Sequence, residues 1–284
     1  MRPKNLIRQF TPAFIERFIR KQIDAKELRT VNILKCNPDK LCITSNITLS
    51  DIFDSPQSNK EWDHTYKIVK TFNIPDGTGG INPGDRKALF YLIKNLAPSS
   101  VLEIGTHIGA STTHIAAALS SNILSNITSQ ASLTSVDLSD VNNPIKKPWL
   151  NYGVKHSPIE MINSMNLGNM VSFIKNSSLE FLSECTQQFD LIFLDGNHSA
   201  KTVYQEVPAA LNLLKNGGII LLHDYFPKLK PLWSNGTVIP GPYLATERLK
   251  AEGANLIVIP LGKLPWKTKL NSNMSSLALL LKKE

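Results

Sequence analysis

From residue 99 onward, short apolar runs alternate with stretches in which apolar residues return every three or four positions. The runs 100–104, 133–137, 170–175, 189–194, 217–222, 255–260 and 276–282 are strand-like, and 110–121, 159–166, 178–185, 200–215 and 243–252 have helical spacing. Strands alternating with helices predict an α/β fold: a seven-stranded, mostly parallel sheet with helices on both faces. No helical stretch separates the last two runs, so they are expected to be an antiparallel pair that closes the sheet.

The first 84 residues follow a different pattern and are read as an N-terminal extension of mixed structure ahead of a domain over 85–284. Residues 1–30 predict a helix, with Thr11 as N-cap and Pro12 at the first helical position. Phe14, Ile15, Phe18, Ile19 and Ile23 recur on one face of it, with Arg17, Arg20 and Lys21 largely off that stripe. A basic amphipathic helix of this kind either lies on an anionic membrane surface or docks on its own domain or a second subunit. VNILKC (31–36) and KLCITSNITL (40–49) have strand-like content, and 61–72 has helical content. The glycine-rich stretch 74–85 ends at Asp85, expected to cap the helix that follows. No Gly-Lys-Ser/Thr follows it, so it is not a P-loop. It is either a cover over a cofactor or a plain turn.

Charge changes this picture in one respect. The formal net charge is +8, but residues 1–30 hold eight Lys or Arg against three Asp or Glu, so most of the excess sits in the extension. A nucleic-acid partner for the domain is therefore not expected. Three cysteines (Cys36, Cys42, Cys185) without a Cys-x-x-Cys are read as reduced thiols. The chain has no apolar run of membrane-spanning length and does not begin like a signal peptide, which predicts a cytoplasmic protein, placed if anywhere at the inner face of the membrane. Self-association into a homo-oligomer is left open.

Candidate chemistry falls in two clusters. The first is VLEIGTHIGAST (101–112), a strand, a Gly105–Gly109 turn and a helix start. Gly105 lets the backbone turn tightly against a ligand, and Gly109 lets the helix begin close to the strand. His107 stands where a dinucleotide fingerprint has its middle glycine, which argues against NAD or FAD. Asp137, at the end of the second strand, is placed to accept both hydroxyls of a ribose. Ser177, after the third strand, either meets an adenine edge or caps the next helix. The pattern Glu103-x-Gly105-x-x-x-Gly109 resembles motif I of class I S-adenosylmethionine-dependent methyltransferases, which are Rossmann-like. The resemblance implies S-adenosyl-L-methionine as cofactor, with Glu103, Gly105, Thr106, Gly109, Ser111, Asp137, Ser177 and Asp195 around it.

The second cluster runs from 189 to 226. One strand ends in Asp195-Gly196-Asn197-His198 and the next in His223-Asp224-Tyr225. Carboxylates at the ends of neighbouring strands can share one cation, and oxygen ligands suit Mg²⁺ or Ca²⁺. This stretch resembles the macrocin O-methyltransferase-like branch, whose members methylate sugar hydroxyls. That resemblance implies Asp195 and Asp224 as metal ligands and His198 as the catalytic base, with Asp195 beside it. Asn197 and His223 depart from the branch, which has aspartates there. His223 joins Asp195 and Asp224 as a candidate ligand, and a histidine suits Mn²⁺, Fe²⁺ or Zn²⁺ better than Mg²⁺. The expected function is O-methylation of a sugar, glycan or glycosylated metabolite, aided by a divalent cation. Methylation of another small-molecule hydroxyl, a related hydroxylase, and a catalytically silent binding subunit are the alternatives. Segments 139–157 and 225–243 follow strand ends and are expected to frame the acceptor, with Lys146, Lys147, Trp149, Lys228, Lys230 and Trp233 offering charge and stacking surfaces.

Overall fold

The computed structural model describes residues 12–78 and 80–284. Seven strands form one sheet: β1 (Ser100–Ile104), β2 (Ser132–Asp137), β3 (Val171–Lys175), β4 (Phe189–Leu194), β5 (Leu214–Leu222), β6 (Leu256–Pro260) and β7 (Ala278–Lys282). Their order is β3-β2-β1-β4-β5-β7-β6. The first five pair in parallel, and β7 lies antiparallel to both β5 and β6. The expected mostly parallel sheet with an antiparallel closing pair is therefore what forms. Its helices are α1 (Ala13–Arg29), α2 (Leu49–Phe53), α3 (Pro56–Val69), α4 (Pro83–Leu96), α5 (Ala110–Leu124), α6 (Pro158–Ser164), α7 (Ser178–Glu184), α8 (Ala200–Leu213) and α9 (Gly241–Ala251).

Alternate strand residues feed two cores, because side chains two apart share a face. Val101, Leu133, Leu191, Phe193 and Leu221 pack under α3, α4 and α5, whereas Leu102, Val136, Ile192, Leu194 and Ile220 pack under α7, α8 and α9. Burial on both sides is why the central strands read as continuous apolar runs rather than as alternations. At the amino ends of β1 and β4 one carboxylate oxygen does the fastening. Asp190 Oδ2 accepts from the backbone N–H and the hydroxyl of both Ser99 and Ser100, and from Lys215 Nζ, all at 2.7–3.0 Å. Partial burial works against the charged carboxylate, but these donors outweigh it and hold the Asp190 pKa at about 2.

Three local expectations are corrected. Asp85 is not the cap of α4: Asn82 is, accepting from Asp85 N at 3.0 Å with Pro83 at the first position, and Asp85 sits inside the first turn. The helix expected over 61–72 begins earlier, at Pro56, because Ser55 caps it, and ends in a tight turn over Lys70–Phe72. The strand-like runs near residues 31–49 form no strand of their own. Leu41 and Ile43 instead make isolated bridges to Gly218 and Lys282, with Cys42 N donating to Gly218 O at 2.8 Å and Lys282 N donating to Cys42 O at 2.9 Å. Both neighbouring strands are already paired along most of their length, so tertiary context overrides the local propensity.

Helix α1 forms as expected; the Thr11 cap lies outside the described residues. It docks through Leu28 and through Asp24, whose Oδ1 accepts from Ala200 N at 2.8 Å and so helps cap α8. Arg248 on α9 donates to the carbonyls of Leu28 and Val31 and fixes the end of the helix. The apolar stripe stays largely exposed. Segments preceding residue 85 share the main core: Ile52, Phe53, Trp62, Val69 and Phe72 pack with α4, and Phe53 meets Trp266 edge-on at 5.7 Å. No described helix is long and apolar enough to cross a membrane.

Candidate active site

Strand order reverses between β1 and β4, and the crevice beyond their carboxyl ends is where ligands bind in such sheets. A cavity of about 560 Å³ occupies it. One end is built by the β1–α5 turn. Gly105 holds φ +102°, and a Cβ there would stand 2.2 Å from Asp195 O, so only glycine lets this turn touch the end of β4. His107 also has a left-handed backbone, φ +49°, and its N–H donates to Asp137 Oδ2 at 2.9 Å. The other carboxylate oxygen of Asp137 accepts from Ser139 N at 2.8 Å. Each oxygen has capacity for a further hydrogen bond, and Asp137 lines the cavity.

Of the expected cofactor residues, Gly105, Thr106, Ser111, Asp137, Ser177 and Asp195 line this cavity. Gly109 and Glu103 do not. Gly109 supplies the left-handed residue (φ +76°) that starts α5. Glu103 is fully buried behind the turn, where Thr112 Oγ1 and Ser135 Oγ both donate to its Oε2 at 2.6 Å. Burial pushes its pKa up to about 7 against those hydrogen bonds. Ser135 Oγ in turn lies 2.7 Å from Thr106 Oγ1, so Glu103 reaches the cavity only through other side chains. Ser177 caps α7 by accepting from Glu180 N, and it also lines the cavity. The glycine-rich stretch contributes Gly80 and Ile81 to the cavity wall, and Tyr152 packs edge-on against His107 at 4.4 Å.

The other end holds the acid and histidine cluster. Leu194 pairs with Leu222, so the residue that follows β4, Asp195, faces the residue that follows β5, His223. His223 Nδ1 donates to Asp195 Oδ1 at 2.6 Å. Asp224 comes one step later, and its left-handed backbone (φ +52°) turns it back toward the cluster. His198 Nε2 then lies 3.5 Å from both Asp195 Oδ1 and Asp224 Oδ2. His198 lines the cavity on the peptide that precedes the α8 cap, Ser199. Burial alone would lower the His223 pKa. The Asp195 and Asp224 carboxylates, the Asp195 hydrogen bond and a third carboxylate overcome it and raise the value to about 10.

That third carboxylate is Asp85, which the sequence did not connect with this cluster. Its Oδ2 is 3.9 Å from His223 Nε2 and accepts from Asn82 Nδ2, Ser276 N and Ser276 Oγ. Complete burial raises its pKa against these contacts. Nothing in the local sequence of Asp85 signals the meeting, which comes about where the start of α4 meets the segment leading into β7, at Trp266 and Ser276. Ligand atoms of Asp195, His198 and His223 lie within 4.8 Å of one another, a spacing that can hold a metal ion. The tryptophans expected to offer stacking surfaces do not: Trp149 (5% exposed) belongs to the main core, and Trp233 (7% exposed) packs on Phe226.

Comparisons with known proteins agree with this geometry. Residues 102–225 match a family model described as a methyltransferase domain. No curated protein matches the chain in sequence. Among solved structures, the O-methyltransferase TomG from Streptomyces achromogenes, involved in tomaymycin synthesis and solved with S-adenosylmethionine, is 16% identical with a TM-score of 0.51, covering 79% of this chain and 90% of that one. An O-methyltransferase from Bacillus cereus, solved with S-adenosylhomocysteine, is 18% identical with a TM-score of 0.51, covering 82% of this chain and 95% of that one. At such identities the likeness is one of fold. Residues 102–225 are thus similar to a methyltransferase domain, and the sheet has the Rossmann-like fold of the O-methyltransferases compared with it.

Proposed function

We propose that the protein transfers a methyl group from S-adenosyl-L-methionine to a hydroxyl of a small molecule, and that the acceptor is a sugar, glycan or glycosylated metabolite. The observation that carries the reading is the continuity of one cavity from Asp137, suited to a ribose, to His198, suited to a reacting hydroxyl. The acceptor class is supported by the resemblance of Asp195–His198 and His223–Tyr225 to sugar O-methyltransferases.

The reaction is an in-line displacement in which the acceptor oxygen bonds to the methyl carbon as the sulfur–methyl bond breaks. The enzyme must align the two partners and take the hydroxyl proton. Two histidines stand at the site, and their surroundings divide the work. His223, with a pKa near 10, keeps its proton at neutral pH and cannot serve as base. His198 accepts the proton at Nε2, and the charge the ring takes up faces the carboxylates of Asp195 and Asp224. The same cluster would suit a divalent cation of the Mn²⁺, Fe²⁺ or Zn²⁺ type, because its donors are mixed nitrogen and oxygen; of the expected ligands Asp195, His223 and Asp224, the first two stand with His198 within 4.8 Å of one another. Such an ion supplies positive charge that stabilises an alkoxide. Binding it requires the release of the proton that His223 shares with Asp195.

Titration calorimetry with S-adenosylmethionine and its demethylated product tests the cofactor, and labelled-methyl transfer across a panel of hydroxylated sugars tests the acceptor. Absence of cofactor binding defeats the reading; transfer to nitrogen or sulfur acceptors alone defeats the oxygen assignment.

A further inference from the structure

Helix α1 exposes an apolar face that its own domain does not use. At about 100° per residue, Leu28 and Asp24 face inward, while Phe14, Phe18, Ile15, Ile19 and Ile23 sweep the opposite half of the helix. Phe14 is 63% exposed, Phe18 62% and Ile23 52%, far more than isolated surface apolars need be. The face is edged by positive charge. Lys21 borders it on the helix, Arg17 lines the groove on the docked side, and Lys228 and Lys230 approach from the loop after β5, across that groove of about 700 Å³. None of these four cations has an ion-pair partner among the described residues, and the acid beside Arg17, Glu16, is bonded to Arg20. The sequence before the helix adds Arg2, Lys4 and Arg8 with no acid.

We propose that this face docks on an anionic lipid bilayer, the phenylalanines entering the interface and Lys21, Lys228 and Lys230 meeting the headgroups. Apolar side chains flanked by unpaired cations are what an interfacial helix presents to such a surface. A second copy of the chain is a poorer occupant, since a self-complementary contact brings these cations onto their own like charges. The Lys228–Lys230 loop follows directly from His223 and Asp224, and Asp24 ties the helix to the start of α8 beside His198. Docking therefore fixes the acceptor side of the cleft close to the membrane. The proposal stands whether or not the acceptor is a sugar.

The test is flotation of the full chain with phosphatidylcholine vesicles, with and without phosphatidylglycerol. Binding is expected only to the anionic vesicles and weakens as salt is raised. Each cation near such a surface contributes about fivefold to partitioning, so Lys21→Glu with Lys228→Glu lowers it by more than about tenfold. Phe14→Ser with Phe18→Ser lowers it comparably. Unchanged calorimetric binding of S-adenosylmethionine shows that each variant is folded. Should a variant fail that check, the salt titration of the unaltered protein decides. Absence of flotation, equal binding to neutral vesicles, salt-independent binding, or folded variants that float like the parent each overturn the proposal. So does sedimentation showing a dimer that the phenylalanine changes dissolve.

Discussion

Gly105→Ala tests the junction on which the site depends. Two costs add. An alanine at φ +102° is strained by about 1–3 kcal/mol, and its methyl meets Asp195 O at 2.2 Å, which forces β1 and β4 apart for about 1–3 kcal/mol more. Gly217→Ala is the control, because Gly217 also has a left-handed backbone (φ +77°) but nothing stands within 4 Å of the added carbon. It should lose only about 1–2 kcal/mol. Urea unfolding should therefore show the Gly105 variant less stable than the Gly217 variant by about 2 kcal/mol. Calorimetry should find S-adenosylmethionine binding lost in the first and kept in the second. Equal unfolding midpoints together with parental cofactor affinity in the Gly105 variant would refute the argument that close approach of this turn to Asp195 shapes the site.

Three further outcomes are expected. Asp137→Ala should weaken S-adenosylmethionine by about 1.5–3 kcal/mol, roughly 10- to 150-fold in Kd, as charge-assisted hydrogen bonds to the ribose are lost; calorimetry reads this directly. His198→Ala should lower kcat by about 10²–10⁴-fold at unchanged cofactor affinity, and parental turnover on a confirmed acceptor would remove it as base. The Asp190 pKa of about 2 lies below its ordinary 3.8, so its contribution is full above pH 4 and disappears as pH falls through 2. Its side chain is 30% exposed, so after screening the contribution is about 1–2 kcal/mol. The stability difference between parent and Asp190→Asn should shrink accordingly between pH 5 and pH 2, and a difference constant with pH would count against it.

The sheet was legible because its central strands are buried on both faces and stand out as apolar runs between helical stretches. The β1–α5 turn was equally legible, since the left-handed backbone at Gly105 (φ +102°) favours glycine whatever packs against it. What escaped depends on contacts between distant parts of the chain. Local propensity at 31–49 suggested strands, yet β5 and β7 left only isolated bridges to make. Trp149 and Trp233 sit on loops and looked available, but burial of a loop side chain is decided by what folds over it. Within the site, Asp195 and Asp224 were paired by their place at strand ends. Register instead sets Asp195 against His223, and a one-residue offset is invisible without the pairing. Asp85 shows the limit most sharply: a residue of the first turn of α4 reads as a capping group, and its approach to His223 exists only once the helix start meets Ser276, just ahead of the last strand.

The placement of β7 between β5 and β6 has a consequence for how the protein is made. Leu222 leaves the ribosome well before Ala278, the residue that will pair with it. At about 5–20 residues per second, the edge of β5 waits for several seconds with its amides and carbonyls unmatched. That edge carries Ile219, Ile220, Leu221 and Leu222, an apolar row of the kind that recruits foreign strands. The nascent chain therefore passes through a period of vulnerability to aggregation that the finished sheet conceals. Chaperone dependence during expression should be relieved by changes that shield this edge early, even where they leave the stability of the completed fold untouched.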